Sequence, residues 1–287
     1  MKTLLSCLLV LSISFPLLSQ TSIWEIEGNG STLYIGGTVH VLSESDYPLP
    51  KEYDEIYSKA EEIVFEADIA AMSDPNLAGQ IMMNSMYTDD RKLSTVLNEE
   101  AYTKLSEECK GVGIAIEQME KLKPSMVLLT LTMLKLQEMG VTEEGVDQKF
   151  YAQAVKDEKD LDFFETVKEQ VNMLTSLGEG NESEYVLHSL NDLEETEEMM
   201  KEVLADWKQG TSKVMNETLE EMKKDYPNMY KNLVLERNNA WMPKIDSFLD
   251  DKDIEFILVG TLHLHGDDGL LAQLKEKGYT VVQYQAP

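Results

Sequence analysis

The chain has 287 residues, 43% of them hydrophobic and 27% charged, which suits a globular protein with a real core. Lys and Arg number 25 against 53 Asp and Glu, a formal net charge of −28. So acidic a surface repels phosphate backbones and anionic headgroups, which argues against nucleic-acid partners and peripheral membrane binding, and two cysteines exclude a disulfide framework.

Lys2 precedes an apolar run over residues 4–18, broken by serines and Pro16, with a polar exit at Ser19-Gln20. This pattern predicts a signal peptide over residues 1–20, removed on export to the periplasm or exterior. An uncleaved N-terminal anchor is the alternative. The run is short for a span of about 20 residues, so no stable membrane span is expected after cleavage. Cleavage also removes Cys7, and Cys109 reads as a partly buried helix residue.

Residues 23–28 alternate apolar and acidic, as a half-buried strand does, and Asn29-Gly30 marks a hairpin turn. Residues 32–36 form the returning strand. A helix is expected over residues 51–60 and a further strand over 62–68. Helix formers dominate residues 74–250. Within them, 126–139 are apolar nearly all round and predict a buried helix ended by Gly140. Residues 160–164 suggest one more strand, and the acids of 194–198 a solvated helix face. A helix over 230–249 carries Pro243, a point for a kink or break. Residues 254–259 are a near-continuous apolar run, as in a buried parallel strand; a helix over 269–277 and a strand over 279–284 follow. The expected fold is α/β: residues 21–287 form one domain whose central sheet comes from both chain ends. A large helical insertion occupies about 74–250.

Two of the four histidines sit in matching settings. Leu33-Tyr-Ile-Gly-Gly37-Thr38-Val39-His40 and Phe256-Ile-Leu-Val-Gly260-Thr261-Leu262-His263 each read as an apolar strand followed by Gly-Thr-x-His. Ligands of open α/β sheets bind at the carboxyl ends of strands, and glycine at the strand exit permits close backbone approach. Glu66, inside the apolar run of 62–68, is a costly residue to bury unpaired. Two imidazoles and a carboxylate from three strand ends can hold a divalent cation with an open position for water. The other reading is that His40 and His263 are hydrogen-bonded residues at the sheet edge. His265 shares a face with His263 if the segment is extended, and is solvent-exposed if the segment loops beside Gly266. His188 lies in a helical context and reads as structural. Arg237 lies one turn before Trp241, which can support it by stacking. A guanidinium in a metal cleft can bind a substrate carboxylate or a developing oxyanion, while a surface ion pair with Glu236 is the plainer alternative.

Taken together these segments resemble the TraB/GumN family, which includes the Tiki metalloproteases. The likeness runs over residues 23–284 and rests on five blocks in order. They are the first Gly-Thr-Val-His40 with Asp46-Tyr-Pro-Leu-Pro50, then Val64-Phe-Glu-Ala-Asp68, then Gly145-Val-Asp147 with Phe164-Glu165-Thr166 and Gln170. Glu236-Arg237-Asn238-Asn239-Ala-Trp241 and Val259-Gly-Thr-Leu-His263-Leu-His-Gly266 complete the series. One departure stands out: Thr261-Leu262 replaces the usual x-Gly before the second histidine. The resemblance implies an erythromycin-esterase/ChaN-like fold and a metal-dependent hydrolase, of protease or peptidase type, using a metal-activated water. It implies His40, Glu66 and His263 as metal ligands, with Glu66 and Arg237 catalytic. Gly37, Gly260, Asn238, Asp147, Glu165 and His265 are further candidates for lining the site. The implied cofactor is a divalent ion (Mn, Co, Zn or Fe), and the substrate a peptide or another small or extended molecule. A non-catalytic envelope accessory protein, polysaccharide-related as in GumN, and a metal- or haem-binding protein are the alternatives.

Overall fold

The computed structural model describes residues 21–141 and 144–286; the expected signal peptide lies outside the described residues. Strands β1 (Ile23–Gly28) and β2 (Ser31–Thr38) form the expected hairpin. Asn29 and Gly30 both adopt positive φ, +52° and +89°, the pair of angles that lets a two-residue turn follow the strand twist. After α1 (Lys51–Lys59), β3 (Glu62–Ala67) enters the same sheet. The helical region then runs through α2 (Pro75–Asn84), α3 (Leu93–Val96), α4 (Glu99–Gly111), α5 (Pro124–Glu138) and α6 (Val146–Lys156). β4 (Asp160–Glu165) interrupts it, where residues 160–164 suggested a strand. α7 (Val167–Thr175), α8 (Glu182–Gln209), α9 (Lys213–Asp225), α10 (Pro227–Tyr230) and α11 (Glu236–Phe248) complete it. The chain ends in β5 (Glu255–Gly260), α12 (Leu270–Glu276) and β6 (Thr280–Gln283).

The six strands take the order β4-β3-β5-β2-β1-β6. β4, β3, β5 and β2 are parallel, and β1 and β6 add an antiparallel edge. β5 is buried along its whole length, which explains why it reads as a continuous apolar run rather than an alternating one. One face of the sheet packs Tyr34, Ile63, Phe65 and Phe256 against Tyr53, Phe150 and Trp207. The other packs Ile35, Val64 and Ile257 against Trp241, Ile245 and Leu274. The helical region has its own core, with Leu105, Cys109, Val127, Leu131 and Val186 at its centre. Each aliphatic side chain so buried contributes about 1.5–3 kcal/mol.

Three expectations need correction. α5 is not buried all round: Leu129 and Met133 are 39% and 42% exposed, because the helix covers its core with one side only. Cys109 is wholly buried, not partly. Pro243 neither breaks nor ends α11. The irregularity lies earlier, in a π-helical turn over Lys231–Leu235 that leads directly into Glu236 and Arg237.

Candidate functional site

The carboxyl ends of β2, β3 and β5 meet at Gly260, the last residue of β5. A Cβ placed there would lie 3.2 Å from Glu66 Oε1, 3.4 Å from His40 Nε2 and 3.8 Å from His263 Cδ2. The three side chains therefore surround the space beside the Gly260 Cα, where a Cβ would be in tight contact with Glu66. Gly37 plays another part. Its missing Cβ lets Thr261 and Leu264 pack against β2, while its carbonyl accepts from Trp207 Nε1 at 2.7 Å. It braces the turn after β5.

Glu66 points to the sheet face that α11 covers. Its Oε1 accepts the Gly260 N–H at 2.7 Å; its Oε2 accepts from Arg237 Nη2 at 2.6 Å and Gln170 Nε2 at 3.1 Å. Burial alone pushes the Glu66 pKa up. The positive charge of Arg237, with smaller help from the two imidazoles and the Gly260 amide, outweighs it and holds the group at about 2. Glu66 is ionised at neutral pH.

His263 re-enters the site through the short turn Thr261–Leu264. Asn238, fully buried on α11, donates its amide hydrogens to the carbonyls of His263 (3.1 Å) and Asp268 (2.9 Å). Its Oδ1 is thereby turned toward His263 Nδ1, 2.7 Å away, which must carry the ring proton. The Nε2 lone pair faces inward, where Arg237 Nη1 meets it at 2.8 Å. Burial, reinforced by the Arg237 charge, lowers the His263 pKa to about 3. The ring is neutral.

His40 is held from the other side. At Gly145 a Cβ would lie 2.2 Å from the His40 carbonyl oxygen, so only glycine lets the start of α6 approach. Val146 N–H then bonds Val39 O at 3.0 Å, and Asp147, in the first turn, stands 3.3 Å from His40 Nδ1. Desolvation in the cleft works against a charge on His40, but Asp147, with Glu66 behind it, raises its pKa to about 9.

Arg237 sits at the centre of the array and is no surface residue. Its Nε bonds both oxygens of Glu165, at 3.1 and 3.2 Å, and Nη2 reaches Glu165 Oε1 as well. The guanidinium lies over Trp241, 4.7 Å from the ring centroid, and Trp241 stacks on Phe164 at 5.1 Å. Nη1 also reaches Leu233 O, inside the π turn, at 3.3 Å. Lys231, not Arg237, pairs with Glu236.

His265 departs from the expectation of an exposed loop residue. It is 8% exposed, packs edge-on against Trp24 at 5.5 Å, and burial lowers its pKa to about 4. The turn that carries His263 inward sends His265 under β1, away from Glu66. His188 is exposed on α8, its ring edge-on to Tyr226. Gln170 on α7 was not among the candidate site residues, although it holds Glu66. Its sequence signs are its place in the third block of the resemblance and the neighbouring cap Thr166-x-x-Glu169, which fixes where α7 begins.

Among the described residues, no group of three or more His, Cys, Asp and Glu side chains is positioned to hold a metal ion. The guanidinium of Arg237 engages two of the donor atoms, His263 Nε2 and Glu66 Oε2. The donor set nevertheless fits a divalent cation in kind. His263 is braced through Nδ1 by Asn238, the usual support of a metal-binding histidine, Asp147 stands 3.3 Å from His40 Nδ1, and Gly260 leaves room between Nε2 of His40 and Glu66.

A sheet with these charged and imidazole groups gathered at the carboxyl ends of its parallel strands defines an α/β protein with a preformed polar centre. The model of the TraB/PrgY/gumN family matches residues 22–283, nearly the whole chain, and the chain belongs to that family. No curated protein and no solved structure matches it.

Proposed function

We propose that this chain is an exported metal-dependent hydrolase of peptide bonds, with His40, Glu66 and His263 as the donor set. One observation carries the reading: two imidazoles, His263 braced through Nδ1 by Asn238 and His40 with Asp147 3.3 Å from its Nδ1, turn Nε2 toward one ionised carboxylate. Two nitrogen donors and one oxygen admit Zn, Mn, Co or Fe. When bound, such a cation supplies Lewis acidity and an acidified water.

The chain's own groups do the rest. Gln170 and the Gly260 amide fix the Glu66 carboxylate, and Asn238 fixes the His263 tautomer. Nε and Nη2 of Arg237 are tied to carboxylates. Nη1, which meets His263 Nε2 and Leu233 O, would be the donor left for a carbonyl oxygen that gains negative charge once His263 Nε2 is turned to a cation. Hydrolysis adds water across the amide: the carbonyl carbon gains OH, the C–N bond breaks and the departing nitrogen takes the proton. With His40 Nε2 in the donor set and its Nδ1 facing Asp147, that proton is the one the attacking water gives up.

Export rests on Lys2 and the apolar run of residues 4–18. Among the described residues, no helix is long and apolar enough to cross a membrane. The test is metal analysis of the purified chain, wild type against His40→Ala, followed by peptide hydrolysis with each. Metal and activity should fall together. Equal metal retention in His40→Ala would remove the site, and metal bound without hydrolysis would return the metal-capture alternative.

A further inference from the structure

The cluster has one open side. The His40 side chain is 60% exposed, whereas Glu66 and His263 are 10% and 6% exposed and Arg237 is 13%. A substrate therefore arrives past His40. The next residue, Val41, forms part of the wall of a groove of about 460 Å³. Leu129, Met133 and Leu134 on α5 and Val141 beyond it supply most of the rest. The bridge between Ser43 and Val141 ties these two walls together, so the groove lies between the helical region and the loop that carries His40.

Leu129 and Met133 are four residues apart, hence neighbours on one side of α5, and folding leaves both substantially exposed. An apolar pair left open beside a polar centre is the ordinary composition of a ligand site, and the volume lies within the range of such sites. Gln137, exposed on the same wall, offers an amide donor and acceptor. With a net charge of −28, the chain repels anionic lipid headgroups, which favours an uncharged side chain of a polypeptide over an anionic lipid as occupant.

We propose that this groove selects substrate: it takes an apolar side chain, of leucine or phenylalanine type, from a residue flanking the bond to be cut. The proposal rests on the hydrolase reading for the cleavage, but the binding it describes can be measured without it.

The probes are fluorophore-labelled Gly/Ser hexapeptides with one variable position, Leu, Phe, Ser or Glu. Each is titrated by anisotropy against the metal-loaded chain and its Met133→Glu and Leu129→Glu variants, and each is assayed for cleavage. Both replaced residues are exposed, so circular dichroism should show the fold intact. The Leu and Phe peptides should bind about tenfold or more tightly than the Ser peptide, and either Glu variant should abolish that margin. If the margin appears without cleavage, the groove stands and the hydrolase reading falls. Equal kcat/KM for Leu and Ser peptides, absence of binding, or a margin that survives both Glu variants overturns the groove. Tighter Met133-dependent binding of phosphatidylcholine vesicles than of any peptide also overturns it, in favour of a lipid occupant.

Discussion

Asn238 settles the protonation of His263. With both amide hydrogens given to the carbonyls of His263 and Asp268, Asn238 can offer the ring only an oxygen, at 2.7 Å from Nδ1. One side chain thus anchors the backbone of the turn after β5 and chooses which ring nitrogen keeps a lone pair. Asn238→Ala leaves two carbonyls and the buried Nδ1–H without these partners. The expected loss is about 2–4 kcal/mol in urea unfolding, within the range for several unmet buried groups. Metal affinity should fall about 10–100-fold, the usual effect of losing a brace. Unchanged affinity would argue against His263 as a ligand.

Asp147 raises the His40 pKa, and removing its charge should reverse that. In the metal-free chain Asp147→Asn should move the imidazole from about 9 back toward its ordinary value near 6.5, read by NMR titration of the ring protons. The linkage has a definite sign. A raised folded-state pKa adds stability below about 6.5 that is lost as pH climbs through about 9. Thermal melts of the metal-free wild type should therefore show this decline over that window, and the variant should flatten it.

Gly145 is predicted to be intolerant of any side chain. Its absent Cβ would stand 2.2 Å from the His40 carbonyl, a backbone atom that cannot swing aside. Gly145→Ala should push the start of α6 away, break the Val146–Val39 hydrogen bond and cost about 1–3 kcal/mol by chemical denaturation. The His40 pKa should drop with it, since Asp147 moves on the same helix turn.

Glu255, at the opposite end of β5, is 1% exposed, and its Oε2 has no hydrogen-bond partner. Burial first, then the neighbouring acids Asp251, Glu62 and Asp253, raise its pKa to about 8. Its contribution to stability is present below the ordinary carboxylate range and disappears as pH rises through about 8. Glu255→Gln should therefore melt higher than wild type at pH 8–9 and about equally at pH 5. A difference that does not depend on pH would place the cause elsewhere.

The strands and the hairpin were legible because their causes are local. Asn29-Gly30 suits only a narrow turn type, and β5 reads as buried on both faces from its own six residues. The two Gly-Thr-x-His segments likewise announced that histidines stand at strand ends. What the sequence could not decide was how far-apart side chains share charge. Arg237 binds Glu66 and Glu165, 171 and 72 residues away, only because β4, β3 and β5 are neighbours in the sheet. The same strand order converts an arginine with a plain surface alternative into the buried centre of the cluster. His265 shows the reverse case: two residues after His263, it is carried under Trp24 by a turn whose direction no local pattern records. Sequence patterns extend over a few residues and fix which way a strand or helix faces. Ion pairing, ring tautomer and burial of a single side chain depend on which elements pack together, and packing belongs to the whole chain.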